Sequence, residues 1–188
     1  RGISVGGGGN DARIFNTTVQ NVNENALTIQ SASSNAVVYK STFSHSNYGI
    51  YIELGHYPAK IIDCSIHNNS NSAIESASYG SIIRDNIIVD NSGWGISLDG
   101  RSTDDLDSVV TNNTLLRNDM GGIFLYKQDA NLYSNTIQDN NCGIYIDHAT
   151  SFCSVSTSTF NSSKCSIRFS FTFFSFKTKT SKSCARSL

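Results

Sequence analysis

The chain has 188 residues, 38% apolar and only 15% charged, with one proline and one methionine; the large remainder of Ser, Thr, Asn and Gly suits turn-rich β structure and argues against packed helices. Its net charge of −1 hides an asymmetry: residues 1–147 hold 8 Lys/Arg against 15 acids, a net of −7, whereas 148–188 hold 6 Lys/Arg and no acid. A mildly acidic body argues against nucleic acid as the partner, since that would want a basic face, and no apolar run approaches membrane-spanning length.

Taken from the N-terminus, one strand pattern recurs: a small residue, an aliphatic one, any residue, then another apolar one. It reads Gly2-Ile3-Ser4-Val5, Ala26-Leu27-Thr28-Ile29, Gly49-Ile50-Tyr51-Ile52, Ala73-Ile74-Glu75-Ser76, Gly95-Ile96-Ser97-Leu98, Gly122-Ile123-Phe124-Leu125, Gly143-Ile144-Tyr145-Ile146 and Ser166-Ile167-Arg168-Phe169. The spacings between successive aliphatic positions are 24, 23, 24, 22, 27, 21 and 23 residues. Two further apolar columns keep step: Ile14, Val37, Ile61, Ile82, Val109, Leu132 and Val155, and Val19, Phe43, Ile66, Ile88, Leu115, Ile137 and Phe160. Helical repeats would show a 3.6-residue period, which is missing. Three short strands per period, each paired with its equivalent one period away, predict a right-handed parallel β-helix, an all-β solenoid of about seven coils of roughly 23 residues.

The corners repeat as well. Thr17, Ser41, Cys64, Asn86, Asn113, Asn135 and Ser158 stand two residues before the third column, and Ser46, Asn69, Asn91, Asn118, Asn140 and Ser163 stand three after it. Stacked Asn side chains at such positions are expected to hydrogen-bond from coil to coil and to accept left-handed backbone geometry. Over roughly residues 2–169, the recurring "Asn-x-aliphatic … Asn-x-x-x-Gly-Ile-x-aliphatic" segments resemble the repeats of the pectin-lyase-like superfamily. More narrowly, they resemble the right-handed β-helix region of extracellular repeat proteins. The resemblance implies the fold and leaves function open, since it spans polysaccharide lyases, hydrolases and epimerases, phage tailspikes and non-enzymatic surface modules.

Gly2-Ile3-Ser4-Val5 is already a repeat strand, so further coils are expected before it, because a solenoid hides its strand edges. The β-helix is expected over 1–169, followed over 170–188 by a basic Ser/Thr-rich tail that is either disordered or foreign to the repeat.

In the first strand of each coil the aliphatic residues face inward, so the residues between them face out. This places Tyr51, Phe124, Tyr126 and Tyr145 on one face with Glu53, Glu75, Asp99 and Asp147. Aromatic rings meet the apolar faces of sugars and carboxylates accept their hydroxyls; equally, Tyr and Phe are good strand residues and acids keep a sheet soluble. In the superfamily this kind of face usually forms the polysaccharide groove. No catalytic set is complete. The candidate pair is Asp99 and Asp147, two coils or about 9.6 Å apart by strand spacing, near the upper end of the range for inverting glycosidases. The polygalacturonase and epimerase signatures are missing.

Asp104, Asp105 and Asp107 fall in the longest coil, where they offer either a Ca²⁺ site or a solvated acidic loop; no other cofactor is expected. The five cysteines lack metal-ligand spacing. Cys142 and Cys165, one period apart, are either stacked free thiols or an inter-coil disulfide. Asn16, Asn68, Asn112 and Asn161 begin Asn-x-Ser/Thr glycosylation acceptors near corners, which favours a secreted eukaryotic protein.

The resulting expectation is a non-catalytic extracellular module, secreted or part of a surface ectodomain. It would bind a polysaccharide, a cell-surface glycan or an extracellular protein through the aromatic-acidic face. A polysaccharide lyase, hydrolase or epimerase and a purely structural spacer in an adhesion protein stay open beside it.

Overall fold

The computed structural model describes residues 2–6, 8, 10–30, 35–55, 58–100, 106–147, 153–156, 158–161, 167–169 and 178–179. The chain winds as a parallel β-helix whose strands form three sheets running along its axis. The first sheet contains Ile3–Val5, Leu27–Ile29, Ile50–Gly55, Ile74–Ser78, Trp94–Asp99, Gly121–Tyr126, Ile144–Asp147 and Ile167–Phe169. The second contains Arg13–Phe15, Val37–Tyr39, Lys60–Ile62, Ile82–Arg84, Ser108–Thr111, Ala130–Tyr133, Cys153–Ser156 and Thr178–Lys179. The third contains Thr18–Gln20, Thr42–Ser44, Ser65–His67, Ile87–Val89, Thr114–Leu116, Thr136–Gln138 and Thr159–Asn161. Among the described residues every strand pairing is parallel and joins one coil to the next, as in Ile74↔Ile96 and Ile96↔Ile123. The right-handed solenoid read from the repeat is the fold. In the region expected to be a tail, Thr178–Lys179 pairs with Cys153–Ser156; the remainder of 170–188 lies outside the described residues.

The core is a set of aliphatic columns one residue wide. Ile50, Ile74, Ile96, Ile123 and Ile144 are wholly buried on the first sheet, and Ile66, Ile88, Leu115 and Ile137 on the third. Strands of two to six residues bury no more than four residues each, so no coil could hold itself together. Burial of each aliphatic side chain is worth about 1.5–3 kcal/mol, and it is secured only by the coils on either side.

The second sheet corrects one expected column. Val37, Ile82 and Val109 are half-buried, and their neighbours Val38, Ile83 and Val110 fill the core. The pairings run Ile14↔Val38, Val38↔Ile61, Ile83↔Ile61 and Ile83↔Val110. Where two aliphatic residues are adjacent, hydrophobicity cannot choose between them, and a slip of one residue reverses the face. The corner chooses instead, because each inward residue stands three before the ladder residue: 38 before Ser41, 83 before Asn86, 110 before Asn113.

Those corners are hydrogen-bonded ladders. Asn86 Oδ1 accepts the Cys64 backbone N–H at 2.9 Å, and Asn86 Nδ2 donates to Ile61 O at 3.0 Å and to Asn113 Oδ1 at 2.9 Å. Asn113 makes the same contacts to Asn86, Ile83 and Asn135. A second ladder runs through Asn69, Asn91, Asn118 and Asn140. Its asparagines and those of the first are buried.

The left-handed backbone, expected on the ladder residues, falls on the residue just before each of them. Asn16, Lys40, Asp63, Asp85, Asn112 and Ser134 precede the first ladder and have φ between 48° and 61°. His45, Asn68, Asp90, Arg117 and Asp139 precede the second ladder, with φ between 49° and 56°. The division of labour is physical: the left-handed residue turns the chain and points outward, which frees the following side chain to point in and cap the corner's amides.

Candidate functional site

The first sheet carries the expected face. Register aligns Tyr51, Glu75, Ser97, Phe124, Tyr145 and Arg168 in one column across consecutive coils. A second column aligns Asp99, Tyr126 and Asp147, so Tyr126 stands between the two carboxylates. Glu53 leaves this register, because a bulge between Ser76 and Ser78 sets two residues of its strand against Ala77.

The aromatic residues gather into two groups. Phe124 and Tyr145 stack with centroids 5.5 Å apart and planes 24° from parallel, and Phe124 and Tyr126 lie 6.4 Å apart at 19°. Trp94 joins them at 5.2 Å from Phe124 and 6.3 Å from Tyr145. That last distance is far below the sum of the other two. The three rings therefore form an offset patch and not a single pillar, and all are half-buried, leaving part of the apolar surface at the solvent boundary. The second group is Tyr48 beside Tyr51 at 5.4 Å. Glu75 and Ser97 lie between the groups.

Trp94 and Tyr48 were not among the expected site residues. Both stand two residues before the repeat's aliphatic position, the place also held by Gly121 and Cys142. Trp94 pairs in register with Gly121, and a Cβ on Gly121 would sit 2.1 Å from Trp94 Cζ3. The glycine is what lets the indole fold across the next coil onto Phe124. The lone tryptophan one coil ahead of a Gly-Gly pair was the legible signal.

Glu75 is the electrostatically unusual group. Burial raises its carboxyl above the ordinary range; hydrogen bonds from Ser97 and Ser72 oppose this, and the Asp99 charge adds to it. Ser97 Oγ donates to Glu75 Oε1 at 3.0 Å. Burial also raises the Tyr48 hydroxyl, helped by the charge of Glu75. A carboxyl easier to protonate when folded weakens the fold as pH rises from 4.5 through its raised value. Glu75→Gln is thus expected to raise the midpoint of urea unfolding at pH 7, with the gain vanishing below pH 4.5; a loss at pH 7 would contradict it.

Asp107 accepts from Asn131 Nδ2 at 3.1 Å, while Asp104 and Asp105 lie outside the described residues. Asn16, Asn68 and Asn112 are exposed at left-handed corners, where a glycan would point into solvent; Asn161 belongs to Thr159–Asn161 and nothing is described of its side chain. Cys142 Sγ lies 3.6 Å from Ile144 O, and Cys165 is outside the described residues. Cys64 and Cys153 are buried free thiols, raised by burial, Cys153 to about 12. Native protein at pH 8 is expected to leave both unalkylated by iodoacetamide until denaturant is added. Labelling at the rate of an exposed thiol, read by peptide mass spectrometry, would contradict this burial.

The family described as periplasmic copper-binding protein (NosD) matches residues 1–172, and the chain belongs to that family. No curated protein matches significantly. The family's description and the β-helix support a periplasmic or extracellular module, and among the described residues no helix is long and apolar enough to cross a membrane.

Copper is named for the family, so the donors of this chain bear on it. Among the described residues no three His, Cys, Asp or Glu side chains converge on a point that could hold a metal. His45 and His67 meet edge to face at 5.9 Å, and His67 Nδ1 is engaged by Asn68 Nδ2 at 3.0 Å. Copper(I) favours thiolate and thioether ligands. Cys64 and Cys153 are held protonated by burial, and Met120 is exposed. The described residues do not fit a resident copper centre.

Proposed function

We propose that this NosD-family chain is a non-catalytic binding module that holds a glycan along the first sheet of its β-helix. The observation carrying the proposal is the Trp94–Phe124–Tyr145 patch, near-parallel rings with Tyr126 at its edge and Glu75, Asp99 and Asp147 around it. Half-buried rings offer apolar surface to pyranose C–H groups, and neighbouring carboxylates accept hydroxyl protons. Pyranose rings recur along a β-1,4-linked chain at a spacing close to that between adjacent strands, so successive sugars can meet equivalent residues of successive coils.

Calorimetry with a panel of soluble oligosaccharides tests the reading. Saturable binding is expected to weaken about ten-fold or more in the Phe124→Ala/Tyr145→Ala double variant, from the loss of two ring contacts. Absence of binding across the panel, or unchanged affinity in a folded double variant, would overturn it and favour a structural spacer.

One observation favours a second reading. The raised carboxyl of Glu75 is the kind a glycosidase uses as general acid. Reducing or unsaturated ends appearing in a polysaccharide digest, and lost in Glu75→Gln, would replace the binding module with an enzyme.

A further inference from the structure

We infer that the glycan held on this face is a cationic amino-sugar polymer, and that uronate polymers are excluded; the inference rests on the binding reading above. Among the described residues, the strands of the first sheet carry Glu53, Glu75, Asp99 and Asp147 against Arg168, with Lys127 directly after one of them. Three of the carboxylates bracket the ring patch. Glu75 lies in the column of Phe124 and Tyr145, and Asp99 and Asp147 flank Tyr126 in the next. A polymer bearing a carboxylate on every sugar would set like charges side by side along this strip, at a cost that grows with each residue bound.

The same arrangement suits an ammonium group. Electron-rich ring faces attract cations, more strongly where they are partly desolvated, and adjacent carboxylates add direct charge pairing. The chain already makes one contact of this kind: Lys127 Nζ sits 5.1 Å from the centroid of Tyr126. An exposed lysine on that ring is an internal cation that an amino sugar would replace. The ligand must also offer flat apolar faces to three near-parallel rings, which a glucosamine chain does and a flexible lysine chain does not.

The test uses the full chain and four hexameric probes: glucosamine, N-acetylglucosamine, galacturonate and lysine. Glucosamine hexamer is expected to bind at least ten-fold more tightly than the N-acetylated hexamer, with galacturonate undetectable and the preference reduced in 0.5 M salt. Asp99→Asn/Asp147→Asn should erase the preference, and Lys127→Ala should strengthen glucosamine binding. Equal binding of the N-acetylated hexamer, or binding of galacturonate, overturns the inference while leaving the glycan-binding face standing. Lysine hexamer binding as tightly as glucosamine, or full glucosamine affinity in a folded Trp94→Ala/Phe124→Ala variant, overturns it by placing the cation on charge alone or elsewhere on the acidic body. Binding by none of the probes overturns both the inference and the reading beneath it.

Discussion

Asn113→Ala is expected to destabilise the β-helix by about 3–5 kcal/mol, far more than an ordinary polar substitution. Asn113 Oδ1 accepts the Asn86 backbone N–H at 3.0 Å and Asn86 Nδ2 at 2.9 Å. Its Nδ2 donates to Ile83 O at 2.9 Å and to Asn135 Oδ1 at 3.1 Å. Alanine therefore strips partners from three neighbouring residues at once, in a place where water cannot replace them. Each buried polar group left unsatisfied costs about 1–3 kcal/mol, and the linked column makes the losses cooperative. Serine should recover part of the loss, since Ser41 Oγ accepts the Thr17 N–H at 3.1 Å and Ser158 Oγ accepts the Asn135 N–H at 3.4 Å at equivalent corners. Equilibrium urea unfolding measures the series wild type, Asn113→Ser, Asn113→Ala. An alanine variant within about half a kcal/mol of wild type, the size of an ordinary surface change, would show that the ladder is ornament.

Gly122→Val is expected to cost about 3 kcal/mol or more, at the severe end of overpacking. A Cβ on Gly122 would stand 2.6 Å from Ile137 Cγ2 and 2.7 Å from the carbonyl oxygen of Gly143. The first is a buried core atom. The second is backbone, and Gly143 O already accepts the Ile123 N–H at 3.0 Å, so it cannot withdraw without breaking the link between coils. Valine adds two more methyl groups to that space; Gly122→Ala should cost less, about 1–3 kcal/mol. Gly49 and Gly95 are equally confined, a Cβ there standing 2.4 Å from Ile66 Cγ2 and 2.7 Å from Leu115 Cδ2; Ala26 and Ala73 occupy the equivalent place in other coils and are wholly buried, so the penalty belongs to the glycine-bearing coils and not to every coil. Thermal unfolding followed by circular dichroism checks it, and a valine variant melting with wild type would contradict the packing.

The fold was legible because a solenoid writes its structure once per coil. The aliphatic column from Ile3 to Ile167 and the third column from Val19 to Phe160 fall where the repeat puts them. The second column slipped at Val37, Ile82 and Val109 because an aliphatic neighbour stands beside each, and only the distance to the ladder residue breaks the tie. Left-handed corners slipped by one for a related reason. Asn favours both roles, but Lys40, Ser134 and Arg117 hold the left-handed position without any propensity for it, so composition hides which residue turns the chain.

The candidate face was half legible. Alternation put Phe124, Tyr126 and Tyr145 on one face with Glu75, Asp99 and Asp147, and the pairings agree. Trp94 was missed because it reaches its partners sideways, over Gly121, and strand periodicity carries no information about a side chain that leaves its own coil. The raised carboxyl of Glu75 was equally invisible, since it arises from burial and from the serines around it.

Trp94 is the only tryptophan in the chain, so its fluorescence reports on the ring patch alone. Titrating the protein with glucosamine hexamer while recording Trp94 emission is the most direct test of the glycan-binding face. A saturable spectral change is predicted, with the same midpoint as calorimetric binding and absent in Phe124→Ala/Tyr145→Ala. Calorimetric saturation with Trp94 emission unmoved would contradict the account, because the ligand would then be bound somewhere other than this face.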